Sequence, residues 1–373
     1  MILESKQLID NLLQENLLQI STNNHKRTWK YYYEQYHNAF RVLLDIAKQK
    51  CYRTNCKFMP FLFIMRHSLE LFLKMNISED NKTPWKDYGK THKLEKLFPI
   101  VNIDAEFIES FDCLDCNSEG DCFRYLLNKK GDLYFDNREE IRAFEACNCY
   151  CLLLDNDNSL TKRKTDKGLL WELTFHAQEC NTLGIIGTQY DFVIIDILRA
   201  IQNKEISIND VYLPLLFLLR HCLEIKLKSS IIDLGNIVNE QDCSKAYSSH
   251  SVKELYDILA SHINEAIKSI TDPNFKKKSE DLGGKTKKYK DVIAQIDPNS
   301  YSFRFPKNKN GNIVNFIPKS DDVSKIIKLY RESDTFLCFC VDVLFEAGVL
   351  KIGDDKEKIY NEKIFSLKSE QVS

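Results

Sequence analysis

Apolar positions are densest in two stretches that read almost alike. Residues 60–74 run PFLFIMRHSLELFLK and residues 214–228 run PLLFLLRHCLEIKLK. Leu, Ile, Phe and Met occupy every side of the helical wheel in both, which predicts helices buried at the centre of a bundle. Both are too short and too charged to span a bilayer. Pro60 and Pro214 suit the first turn of such helices, where a missing N–H leaves nothing unpaired. Four polar residues interrupt each run: Arg66, His67, Glu70 and Lys74, then Arg220, His221, Glu224 and Lys228. Arg, Glu and Lys recur at i, i+4 and i+8, so they stack along one face. The histidine, three residues before the glutamate, joins that stripe. Because an unpaired buried charge is very costly, the stripe must either pair internally or open into a cleft.

The remaining pattern is mostly helical and also doubled. Residues 1–24 form a Leu-dotted amphipathic segment, and residues 26–49 a longer helix with an aromatic first half. Residues 123–135 alternate apolar runs around Asn128-Lys129-Lys130-Gly131, which predicts a β-hairpin. A helix follows over 138–154, then a polar linker over 155–168; residues 171–180 leave helix and strand both open. In the second half, 188–203 answers the first long helix, with Asp45 matching Asp196. His250 answers His92, and Phe303-Arg304-Phe305 with Asn308 to Gly311 answers the hairpin. Residues 323–346 answer the closing helix, with Arg331, Cys338 and Cys340 matching Arg142, Cys149 and Cys151. The separations grow from 151 through 154, 158 and 180 to 189, which implies insertions and no rearrangement. The expected fold class is mostly α: two tandem helical bundles, at 1–160 and 161–350, each with a small β-hairpin. They dock about an internal pseudo-two-fold axis as in a homodimer. Residues 351–373 read as a charged tail.

Composition narrows the chemistry only a little. A chain of 373 residues that is 43% hydrophobic can bury a large core. Its net charge of −2 gives no global polyanion-binding signature. The lysine-rich span 276–290 could touch nucleic acid, but Glu280 and Asp281 interrupt it, as in a solvated loop. Thirteen cysteines, an odd count, and no signal peptide point to free thiols in a reducing cytoplasm. Cys113 and Cys116 have the spacing of a zinc knuckle, with Cys122 and the CNCYC run at 147–151 as further thiols, yet no second CxxC completes the site. His67, Glu70 and His92 could also hold a metal, but Arg66 and Lys74 on the same stripe oppose a dication. No metal is assigned, no cofactor is expected and no phosphate loop or nucleophile elbow is present.

What remains is the set shared by the halves: Arg66, His67, Glu70, Lys74, His92 and Arg124, matched by Arg220, His221, Glu224, Lys228, His250 and Arg304. Imidazoles for proton transfer beside cations for a charged phosphate describe a site that could bind or cleave a phosphodiester. In that reading His67, His221, His92 and His250 are catalytic, and Arg66, Arg220, Arg124, Arg304, Lys74 and Lys228 bind substrate. Glu70 and Glu224 orient them. Alternatively, the stripe is an internal ladder that fixes how the helices pack.

The RHxLExxLK helix, the later histidine and the closing helix of each half resemble the HEPN superfamily, helical-bundle domains of prokaryotic toxins and phage-defence proteins. The resemblance implies a dimeric, metal-independent ribonuclease, with RNA and a protein of the same defence system as partners. Its catalytic signature is an Arg, four to six residues, then a His. This chain departs from it: Arg142 and Arg331 are followed by Cys149 and Cys338, and a thiol does not replace an imidazole as an acid and base at neutral pH. Either the Arg-His pairs at 66–67 and 220–221 replace that signature, or the domains bind without cleaving, as a sensor or scaffold for a protein or nucleotide.

Overall fold

The architecture comes from a computed structural model. It describes residues 2–21, 28–49, 54–80, 82–114, 120–127, 133–135, 140–176, 182–234, 237–277, 280–281, 301–308, 310–313 and 320–350. The tail at 351–373, Cys116, the side chain of Cys338 and most of 276–290 lie outside the described residues. The chain is mostly helical. In order come α1 (Ile2–Gln14), α2 (Trp29–Lys48), α3 (Phe58–Asp80), α4 (Trp85–Tyr88), α5 (Leu94–Val101), α6 (Ala105–Ser110) and α7 (Phe144–Asp155). They are followed by α8 (Lys167–Glu172), α9 (Leu183–Gln202), α10 (Tyr212–Asp233), α11 (Glu240–Ser248), α12 (Val252–Lys268), α13 (Tyr301–Arg304) and α14 (Ser320–Glu346). Among the described residues, no helix is long and apolar enough to cross a membrane.

The two repeated stretches form α3 and α10, buried on nearly every side as their all-round apolarity predicts. Phe63 of α3 stacks on Phe217 of α10, with ring centroids 4.6 Å apart, so the two central helices meet directly. Each is flanked by a helix whose start is set by the same device. Thr28 accepts a hydrogen bond from the Tyr31 amide to cap α2, and Thr182 accepts one from Ile185 to cap α9. Below the cap of α2, Tyr32, Tyr36, Ala39, Phe40, Leu43 and Ala47 recur at helical spacing and form its buried face.

Each flanking helix also caps the central helix of the other half. Gln35 of α2 accepts from the Leu213 amide at the start of α10 (3.2 Å), and Gln189 of α9 accepts from the Met59 amide at the start of α3 (2.9 Å). Thr28 to Thr182, Gln35 to Gln189, and Met59 to Leu213 are all separated by 154. The match of Asp45 to Asp196 is therefore out of register. Asp45 is exposed and pairs with Lys48, whereas Asp196 is buried on Lys57 of the other half.

The halves share one continuous core. α1 packs on α9 and α14 of the second half, with Asp10 on Arg331. Conversely, α8 packs on α2, and the following strand β2 (Thr174–Phe175) pairs antiparallel with β1 (Ile141–Arg142). Phe175 then stacks on Phe58 of α3 at 5.8 Å. A division at 160 thus cuts through packed structure. The polar stretch 155–168, expected as a linker, is tied down: Asp155 and Asp157 hold Arg41, and Asp166 caps α8.

At the expected hairpins the described residues show one antiparallel bridge each, Leu127 with Leu133 and Lys307 with Ile313, and the turn at 128–131 lies outside them. Residues 301–304 are a helical turn instead of a strand. Arg142 lies in β1 and Arg331 inside α14, so they are not counterparts. The contact that does recur is a tyrosine hydroxyl on a small side chain of the central helix. Tyr150 meets Ser68 at 2.6 Å and Tyr330 meets Cys222 at 3.8 Å, a separation of 180 like that of the two bridges. Cys122 is disulfide-bonded, contrary to the expectation of free thiols throughout, and so supplies no thiolate to a zinc knuckle. Cys147, Cys149 and Cys151 are free thiols.

Candidate functional site

The polar stripes of α3 and α10 are sealed. Arg66, His67, Glu70, Lys74, Arg220, His221, Glu224 and Lys228 are all buried. Each stripe converges on its glutamate. Glu70 receives Arg66 (3.3 Å), Lys74 (2.9 Å) and His92 Nδ1 (2.9 Å). Glu224 receives Arg220 (2.9 Å), Lys228 (3.2 Å) and His250 Nδ1 (2.9 Å). Burial alone would raise both carboxyls, but the surrounding cations and imidazoles outweigh it and hold them well below the usual carboxylate range. The arginines also tie down the loop before α5 and α12, donating to the His92 and His250 carbonyls at 2.6 Å. Arg66 is packed so closely that a Cβ on Gly120, itself at φ +69°, would sit 2.4 Å from its guanidinium. This is the internal ladder, and it satisfies the charges that the sequence places in an apolar helix.

His67 and His221 complete the contact between halves. His67 Nε2 donates to the Arg304 carbonyl (3.1 Å) and His221 Nε2 to the Arg124 carbonyl (2.9 Å). Tyr36 donates to the neighbouring Phe303 carbonyl and Tyr190 to that of Phe123. Burial pushes the His67 imidazole down to about 3 and the His221 imidazole down to about 4, more than their glutamate neighbours can offset. Both are neutral and closed off from solvent. A proton shuttle needs a pKa near the working pH and access to a reacting group, so this geometry disfavours the catalytic role that the sequence suggests for His67 and His221.

Arg124 and Arg304 come together at the same seam. Both guanidinium groups lie over the Phe217 ring, at 5.9 and 5.7 Å. Arg124 is neutralised locally, by Asp121 at 2.6 Å and by the Tyr125 hydroxyl at 2.7 Å. Arg304 is only part buried and rests on Phe305 and Tyr301, and its Nε has no hydrogen-bond partner among the described residues. Burial and then the Arg124 charge lower its guanidinium to about 10.

Comparison with protein-family models, with curated proteins and with solved structures yields no match. The site must therefore be read from its own geometry.

Solvent reaches that geometry at His92 and His250, whose side chains are 28% and 58% exposed. Each has Nδ1 fixed on a glutamate, which leaves Nε2 for another partner. Each also borders an aromatic ring of the other half's Phe-Arg-aromatic turn, Phe305 at 5.4 Å and Tyr125 at 5.0 Å. Across the seam, the cations Arg66, Lys74, Arg220, Lys228, Arg124 and Arg304 outnumber the carboxylates Glu70, Glu224 and Asp121. Sequence reasoning missed Tyr36, Tyr190, Phe63, Phe217 and Tyr125. The first four recur at the separation of 154, and that was the available signal; nothing marks Asp121 in advance.

Proposed function

We propose that this chain is an internally duplicated, HEPN-like pseudo-dimer of the prokaryotic defence or toxin type, and that it binds RNA at the seam between its halves. The reciprocal contacts support the duplication. Gln35 and Gln189, His67 and His221, and Tyr36 and Tyr190 each reach from one half into the other at matching positions. The observation that carries RNA binding is the surplus of positive charge at the seam, with Arg304 only part buried and no carboxylate directly paired to it among the described residues. A guanidinium group beside aromatic rings and solvent-reached imidazoles suits a phosphate and its adjacent base.

The stripes on α3 and α10 then act as scaffold, and Arg304 contacts the ligand, with His92 and His250 on the rims of the seam. A single-stranded RNA oligonucleotide titrated by fluorescence anisotropy should bind, with affinity falling as salt rises. Arg304→Gln should weaken binding about tenfold, the cost of one charge-assisted phosphate contact, while the melting temperature stays near that of the parent. A parent protein that does not bind RNA removes the proposal.

One observation favours cleavage as a second reading. The Glu70–His92 and Glu224–His250 pairs each hold an imidazole by one nitrogen and present the other outward, the arrangement of an oriented general base. His92→Ala with His250→Ala should then abolish RNA cleavage while binding persists.

A further inference from the structure

We propose that the two halves have diverged in charge, so that one phosphate-class anion is held per chain, at Arg304, and its counterpart Arg124 holds none. This rests on the anion-binding seam proposed above and adds which of its two arginines takes the ligand.

The residues on either side of the two arginines differ. Arg124 and Arg304 occupy equivalent places, since each backbone carbonyl receives the histidine of the other half and each precedes a matching bridge at a separation of 180. Their side chains meet different neighbours. Three residues before Arg124 is Asp121; three residues before Arg304 is Tyr301. The next residue is Tyr125 in one half and Phe305 in the other. Asp121 takes one Nη of Arg124 and the Tyr125 hydroxyl takes the other. That hydroxyl also meets His250 Nδ1 at 3.1 Å, which closes the network.

Tyr301 and Phe305 offer Arg304 only ring faces, at 6.0 and 5.4 Å. Ring faces attract a cation but accept none of its in-plane N–H donors. Its Nε is buried without a partner among the described residues, as is that of Arg124, so the two arginines differ in what their Nη groups meet. Arg124 lies over the same Phe217 ring and opposes the charge of Arg304, while Asp121 acts on Arg304 more weakly than Arg124 does. An anion against Arg304 would relieve that repulsion and satisfy the open donors. The same anion against Arg124 would have to displace Asp121. A phosphate monoester, diester or inorganic phosphate meets the planar fork of an arginine equally well.

The test is calorimetric titration of inorganic phosphate into the full chain, beside the RNA titration on the same preparation. One phosphate per chain is expected. Arg304→Gln should lower its affinity at least tenfold, Arg304→Lys should restore part of it, and Tyr301→Asp should abolish it by giving Arg304 the carboxylate that Arg124 has. Melting curves show whether each variant is folded, and the Arg304→Gln and Arg304→Lys pair decides the matter if Tyr301→Asp is not. Two phosphates per chain, or Arg304→Gln binding within twofold of the parent, overturns the asymmetry even where RNA binding persists. Absence of phosphate binding overturns it as well, and the RNA titration then reports whether the wider reading falls with it.

Discussion

Glu70 holds three basic partners at once, and Glu224 repeats the arrangement. That convergence explains how Arg and Lys stay inside helices that are otherwise apolar. It also sets the response to acid. His67 and His221 are neutral in the fold, with pKa values lowered to about 3 and about 4, while an unfolded histidine titrates near the usual 6.5. The unfolded chain therefore takes up protons first, so stability is full above about pH 6.5 and falls as pH drops toward 4. By pH 4.5 the loss is about 2–3 kcal/mol per histidine. Glu70 and Glu224, held low, contribute stability above the usual carboxylate range that is lost at lower pH still. Denaturant melts from pH 7 to 3 should show both phases, and His67→Gln with His221→Gln should remove the upper one. If the double variant keeps the same pH profile, the imidazoles are not buried neutral. The stripe itself was legible in the sequence, because charged residues in an apolar helix demand a reason. Its sealed state was not, since spacing places side chains on one face without saying what covers that face.

At the scale of the element, each central helix is started by the opposite half. Met59 and Leu213 lie in first turns whose amides have no partner within the helix, and Gln189 and Gln35 supply one. Gln35→Ala and Gln189→Ala should each lower stability by about 1–2 kcal/mol, because a buried amide is left without an acceptor. A double variant should lose close to the sum, as the capped amides belong to different helices. Chemical denaturation of the single and double variants checks this, and a neutral Gln189→Ala would contradict the cap. Helices were readable in the sequence because their apolar period is long and regular. The strand expected at 303–305 was misread because a Gly-containing turn between short apolar runs looks the same whether the flanks pair as strands or, as at 301–304, wind into a helical turn. The registers of 151 and 189 failed for a related reason. Single matched residues such as Asp45 and Asp196 carry little information, while the capping threonines and the Tyr150 and Tyr330 contacts make recurring separations visible only in three dimensions.

For the whole molecule, the account turns on the halves completing each other. α1 lies on the second half and α8 with β2 on the first, Lys57 reaches Asp196 across the seam, and the core is continuous through the Phe63–Phe217 stack. The sequence suggested duplication through repeated residues, but exchange of the leading segments leaves no mark in periodicity, so the boundary at 160 looked cleaner than the packing makes it. A chain built this way should unfold as one cooperative unit. The most direct measurement is to produce residues 1–160 and 161–373 separately and together, and to follow near-ultraviolet circular dichroism through thermal melting. Each piece alone should lack a cooperative transition, and the mixed pieces should regain one near that of the intact chain. Two pieces that each melt cooperatively at the temperature of the intact protein would show that the halves stand alone, and would contradict the reciprocal seam on which the site depends.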